Sequence, residues 1–168
     1  RLKIKKEPEA LEEVIGGAIA LILKRAPEQK IQVEMPEEVL MIPMDARLME
    51  QVFVNLLDNA VKHSEPSDQI TITVEAPERE SGIRIEVADR GEGISDADLP
   101  NIFETFYTSS TRDADSKQGI GLGLAICDTI IKAHGGSIRA ENRADGKGAV
   151  FTLKIPVNKE EGSNGALS

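Results

Sequence analysis

The sequence predicts an α+β domain, a two-layer sandwich of about three helices on one mixed, mostly antiparallel sheet of five strands. Three observations carry that expectation. Long segments beginning near Glu9, Ala46 and Gly121 read as helices, the first and last framed by Pro or Gly breakers. Short runs alternating apolar with polar residues lie between and after them. Hydrophobic residues make up 40% of 168 positions, enough core for one domain with little room for a second. One layer of helices on one sheet is the packing that buries both sets of apolar faces.

The elements follow in order. Lys3 to Lys6 is a short strand candidate. Glu9 to Arg25 reads as a helix between Pro8 and Pro27. Ile31 to Met35 alternates as a strand. Pro43-Met44-Asp45 marks a helix start with Asp45 as N-cap, and the helix runs from about Ala46 to His63. Ile70 to Glu75 and Gly82 to Ala88 are strands, and a Gly-rich turn, Asp89 to Gly93, follows the second. Gly121 to His134 is a helix stopped by Gly135-Gly136. Ser137 to Asn142 and Ala149 to Ile155 pair across the turn 144–148. The polar stretch Asp98 to Gly119 is too long for an ordinary connection and reads as a lid or binding loop. Residues 1–157 are expected to form the domain and 158–168 a flexible tail. Arg1 in first place, without Met, is read as the start of a fragment.

Composition narrows the function. The net charge is −9, which repels a nucleic-acid backbone and argues against such a partner. It also repels a bare nucleotide, so a phosphate site here needs local cations or a metal. The one cysteine, Cys127, excludes an internal disulfide and fits a reducing cytoplasm; within an apolar helix it reads as a small buried hydrophobe. The longest apolar run, Gly16 to Leu23, has eight residues and is too short to span a membrane.

The central helix carries an unusual edge. At about 100° per residue, with Asn55 at zero, Asn59 falls at about 40°, Lys62 at about −20° and His63 at about 80°. Phe53, Leu56, Leu57, Ala60 and Val61 occupy the other side. Asn is a poor helix former, so two in mid-helix need a reason. A solvated face is one, but Lys and Glu would serve it better. The other is a magnesium–phosphate site, with amide oxygens as neutral hard ligands and Lys62 against phosphate.

Two glycine-rich turns add to it. Asp89-Arg90-Gly91-Glu92-Gly93-Ile94 follows a strand, and Asp89 can accept a hydrogen bond from an exocyclic amine. Gly119-Ile120-Gly121-Leu122-Gly123-Leu124 runs straight into a helix, where backbone N–H groups and the helix dipole favour an anion. It matches neither the dinucleotide fingerprint nor the P-loop.

The order of these motifs resembles the catalytic ATP-binding domain of bacterial sensor histidine kinases. Asn55 to His63 is similar to the N box of that family, Asp89 to Ile94 to its first glycine box, Phe103-Glu104-Thr105-Phe106-Tyr107 to its F box, and Gly119 to Leu124 to its second glycine box. Gly135-Gly136 and Gly146-Lys147-Gly148 match its late glycines. The resemblance spans roughly Leu2 to Val157, and Phe106-Tyr107-Thr108 with Ala114-Asp115-Ser116-Lys117 is most similar to the potassium-responsive KdpD group.

The resemblance implies the Bergerat fold with a long ATP lid, and ATP and Mg²⁺ as cofactors. It implies that Asp89 holds the adenine amino group, that Asn59 ligates Mg²⁺ with Asn55 ligating or supporting it, and that Lys62 and His63 face phosphates or ribose. Gly91 and Gly93 would let adenine slide between sheet and lid, and the backbone of Gly121, Leu122, Gly123 and Leu124 would bind phosphate oxygens. Ile94, Phe106 and Gly119 complete the implied ATP-binding set, and Asn55 and Lys62 the catalytic pair. Where many members carry Arg in and just after the F box, this chain has Thr105 and Thr108, so Arg112 or Lys117 is left to supply the cation. The implied partners are the dimerisation and phosphoacceptor domain of the same kinase and a response regulator, in the cytoplasmic part of a membrane-anchored sensor.

Position 55 separates the histidine kinase from its relatives. Those that activate water or a serine hydroxyl carry Glu there as general base, which Asn55 cannot be. A neutral imidazole is already nucleophilic and needs less help. Neither His63 nor His134 has the acidic His-Glu setting of a phosphoacceptor, so the acceptor is expected outside this chain. A nucleotide-binding module without transfer activity is the remaining alternative.

Overall fold

A computed structural model describes residues 2–77, 82–105 and 123–157. The chain runs β1 (Glu7–Ala10), α1 (Leu11–Arg25), β2 (Lys30–Glu34), β3 (Met41–Met44), α2 (Ala46–Lys62), β4 (Gln69–Glu75), β5 (Gly82–Ala88), α3 (Gly123–Ala133), β6 (Ser137–Asn142) and β7 (Ala149–Pro156), with a 3₁₀ turn at Leu99–Asn101. The main sheet has the order β2-β4-β5-β7-β6. Its β2–β4 pair is parallel and the other three pairs are antiparallel. The expected two-layer architecture and mixed five-stranded sheet are therefore present.

Alternation sets the faces. On β4 and β5, Ile70, Ile72, Val74, Ile83, Ile85 and Val87 are buried, while Thr71, Thr73, Arg84 and Glu86 alternate with them on the opposite face. The buried set joins Leu11, Ile15 and Ile22 of α1, Phe53, Leu56 and Leu57 of α2, and Ile130 and Ile131 of α3 in one aliphatic core. Burial of these side chains, each contributing roughly 1.5–3 kcal/mol, is the main term holding the layers together.

The start of the chain departs from expectation. The strand predicted at Lys3 to Lys6 lies instead at Glu7–Ala10, and α1 begins at Leu11 rather than Glu9. β1 pairs with β3, Pro8 opposite Pro43, in a separate two-stranded ribbon. Proline supplies no N–H to a ladder, which reads against strands at both places; a two-stranded ribbon has only edges and tolerates it.

Helix α2 is fixed at its start by Asp45, the predicted N-cap. The Asp45 Oδ1 accepts from Leu48 N–H at 3.4 Å and Oδ2 from Lys5 N–H at 3.0 Å. Its own N–H donates to His134 Nε2 at 3.0 Å, and His134 Nδ1 lies 2.8 Å from the Ile130 carbonyl. A backbone N–H can only donate and a carbonyl only accept, so these partners assign the Nδ1–H tautomer. His134 is thus a buried structural bridge from the end of α3 to the start of α2.

The backbone N–H of Lys5, more than any other contact, holds the Asp45 carboxyl below its ordinary value of 3.8. Its stabilising contribution is therefore full well above pH 3.8 and disappears as pH falls through the lowered folded value. Asp45→Ala is expected to lower stability by about 1 kcal/mol at pH 7. Chemical denaturation of both proteins at pH 7 and near pH 2.5 checks this, with the gap between them closing in acid.

Candidate nucleotide-binding site

The site forms where β5 ends, beside the polar edge of α2. Asp89 follows the last residue of β5 and is 3% exposed. Its N–H donates to the Ala149 carbonyl at 3.0 Å. Its Oδ1 accepts from Gly91 N–H at 2.9 Å and Ala149 N–H at 3.1 Å. One carboxylate oxygen is thus occupied by the backbone on both sides, which fixes the direction in which Oδ2 points. A buried carboxylate so held is a rigid acceptor for an amine.

The loop after Asp89 is pressed against the end of α2. A Cβ built on Gly91 would stand 1.9 Å from the His63 carbonyl oxygen, so only glycine fits. Gly93 takes the other glycine role, with φ +81°. His63 caps α2, and its Nδ1 lies 3.6 Å from Glu92 Oε1. The predicted N-box helix and first glycine turn therefore meet at His63, Gly91 and Glu92.

Asn55 and Asn59 lie one turn apart on α2 and are half-buried, opposite buried Leu56, Leu57 and Ala60. Asn55 Nδ2 donates to the Gly123 carbonyl at 3.2 Å, which joins α2 to the first turn of α3. That leaves Oδ1 as the atom of this amide suited to a cation. Lys62 is turned back along its helix, with Nζ 3.1 Å from Asp58 Oδ2. Such an exposed i,i+4 pair stabilises by only about 0.3–0.5 kcal/mol, so the ammonium is readily redirected. Cys127 has no exposure, and burial pushes its thiol up to about 12, partly offset by a hydrogen bond from Asn55. It is the inert core residue that its apolar setting predicted.

Among the implied ATP-binding residues, Asn55, Asn59, Lys62, His63, Asp89, Gly91, Gly93, Ile94, Gly123 and Leu124 are described; His63 and Gly91 come together where α2 meets the Asp89 loop, and Asn55 meets Gly123. Phe106, Lys117, Gly119, Gly121 and Leu122 lie outside the described residues, as do Thr108, Arg112 and the tail 158–168. Of the F box, Phe103 stacks edge-on against Phe151 of β7, with ring centroids 6.1 Å apart.

Sequence reasoning missed a second set of residues on the β6–β7 turn. Asn142 bonds Ile94 twice, and Arg143 grips Asp145 through two bonds of 3.0 and 3.1 Å. The Asp145 hydrogen bond raises the Arg143 pKa, and Arg143 in turn lowers that of Asp145. The only local signal was a polar strand end followed by a glycine turn, which any hairpin shows.

Gly91→Ala is expected to force the Asp89 loop away from α2 and to cost about 1–3 kcal/mol of stability. A calorimetric melt is the check, and an unchanged Tm would mean that the loop yields freely.

The comparisons with known proteins identify the family of the fold. The family model described as histidine kinase-, DNA gyrase B- and HSP90-like ATPase matches residues 44–159. Sensor protein KdpD of Clostridium acetobutylicum is 46% identical over 154 residues, which is 92% of this chain but 17% of that protein. The chain thus spans about a sixth of the length of that relative. The solved catalytic domain of histidine kinase ThkA, in a nucleotide-free form, is 32% identical with a TM-score of 0.78, covering 92% of this chain and 97% of that one. ThkA in complex with response regulator protein TrrA is 30% identical with a TM-score of 0.74, covering 92% of this chain and 42% of that one. The family model over residues 44–159 and the likeness to the ThkA catalytic domain across 92% of this chain place the protein in the histidine kinase-, DNA gyrase B- and HSP90-like ATPase family, among its sensor-kinase members.

Proposed function

We propose that this chain binds Mg·ATP against the polar edge of α2 and the loop after β5, and transfers the γ-phosphoryl group to a histidine on a separate dimerisation domain of the same sensor kinase. The observation that carries the reading is Asp89. It is a buried carboxylate with one oxygen fixed by two backbone N–H groups, at a strand end whose following loop lies against the His63 end of α2.

The roles follow from chemistry. Asp89 Oδ2 accepts the adenine amino group, and Gly91 and Gly93 keep the loop flat beside the base. The residues fit magnesium, since Asn59 and Asn55 offer amide oxygens and the phosphates and waters would complete six-fold coordination. Bound there, the metal supplies charge neutralisation for the phosphates. Lys62, released from Asp58, adds a second positive charge. Position 55 carries an amide, so no side chain there can take a proton from water or serine. This supports a histidine acceptor, whose imidazole needs little activation, and leaves the domain to position and neutralise. The TrrA complex of ThkA supports a response regulator as the later recipient.

Two outcomes test the reading. Asn at position 89 keeps an oxygen for the Gly91 and Ala149 N–H groups but turns the amine acceptor into a donor. Asp89→Asn is therefore expected to raise the Kd for ATP more than tenfold while the melting temperature stays within a few degrees. An unchanged titration would remove Asp89 from the adenine role. Separately, the chain alone is expected to take up no label from γ-labelled ATP, and to label an added dimerisation domain carrying the acceptor histidine. Label on the isolated chain would overturn the division of labour.

A further inference from the structure

We infer that Asn142, through its two bonds to Ile94, is a positioning residue for the adenine end of the site, and that the β6–β7 turn is the brace that gives Asp89 its selectivity for adenine. The inference rests on the nucleotide reading above. Asn142 is the last residue of β6. Its Oδ1 accepts from Ile94 N–H at 2.7 Å and its Nδ2 donates to the Ile94 carbonyl at 2.7 Å. A side-chain amide that meets both backbone groups of one residue imitates a neighbouring strand, so the end of the Asp89 loop is held as though it were paired into the sheet.

Two further contacts place the same turn along that loop. Arg90 Nη1 lies 3.9 Å from Asp145 Oδ2, which Arg143 already grips in a two-pronged bond. A Cβ on Gly148, whose φ is +119°, would stand 2.0 Å from the Asp89 carbonyl oxygen, and the next residue supplies an N–H to the Asp89 carboxylate. The loop from Asp89 to Ile94 is therefore braced by the turn at its first residue, at Arg90 and at its last residue. Gly93 is also close to the turn, since a Cβ there would meet Asn142 Oδ1 at 2.8 Å. Beyond the Gly91 N–H bond to Asp89 and the contact with the His63 carbonyl, these groups of the turn hold the loop in place. At the far end the two hydrogen bonds come from Asn142, and they act on backbone rather than on any nucleotide atom.

A brace at the adenine end has a specific signature. Asn142→Leu, close in shape but without either bond, is expected to raise the Kd for Mg·ATP about tenfold, the worth of roughly one net hydrogen bond. It should leave the Kd for magnesium tripolyphosphate within twofold and narrow the preference for ATP over ITP, which lacks the exocyclic amine. Asn142→Asp keeps the acceptor for Ile94 N–H and places a carboxylate against the Ile94 carbonyl, so it should fall between the two. Calorimetric titration of the whole chain reads all three ligands, with a melt of each variant beside it. Equal losses for ATP and tripolyphosphate, or an unchanged ATP-to-ITP ratio, would overturn the positioning role and leave Asn142 a general fold residue. If wild type itself shows no preference for ATP over ITP, the adenine reading of Asp89 fails instead, which keeps the two claims separable.

Discussion

The site depends on one constraint: the antiparallel β5–β7 pair ends at a carboxylate that continues its ladder. Gly82 to Ala88 pairs residue for residue with Pro156 back to Val150. Past Ala88, Asp89 takes the Ala149 carbonyl with its N–H and the Ala149 N–H with its side chain. The same oxygen turns the chain by accepting from Gly91. Strand end, turn and buried acid are thus one hydrogen-bonded unit. A carboxylate 3% exposed in a loop would be expensive without such partners, and with them it becomes a fixed direction rather than a swinging group.

Helix α2 supplies the second half of the site while serving the core. Phe53, Leu56 and Leu57 are fully buried on one side, and that burial outweighs the few tenths of a kcal/mol by which each Asn disfavours the helix. Its two ends and its middle are tied to other elements. Asp45 N–H meets His134 at the start, Asn55 meets Gly123 in the middle, and the His63 carbonyl lies against Gly91 at the end. The result is a rigid edge from which short side chains project with little freedom, which suits positioning chemistry.

Basic side chains near the candidate site already face carboxylates. Lys62 is paired with Asp58, and Arg90 and Arg143 both face Asp145. Each of these cations thus has a carboxylate partner where it stands, and a triphosphate would have to draw Lys62 out of a weak exposed pair or rely on the metal. The missing F-box arginine at Thr105 makes that reliance greater.

The sequence by itself determined the periodicities and the box order. Helical and alternating spacing placed α2, β5 and β6 to within a residue, because each has one buried face and the pattern of that face is local. The amide edge of α2, the acid at the end of β5 and the absence of a base at position 55 were equally legible, since they depend only on residue type and spacing. The β1–β3 ribbon was not, because prolines speak against strands until a partner strand with its own proline is brought alongside. Nor was the brace on the Asp89 loop. Asn142 and Ile94 stand 48 residues apart, and nothing near either one announces the other. Only the sheet order, which sets β7 between β5 and β6, carries the β6–β7 turn to the end of β5 and makes a polar residue in a hairpin into the neighbour of a binding loop.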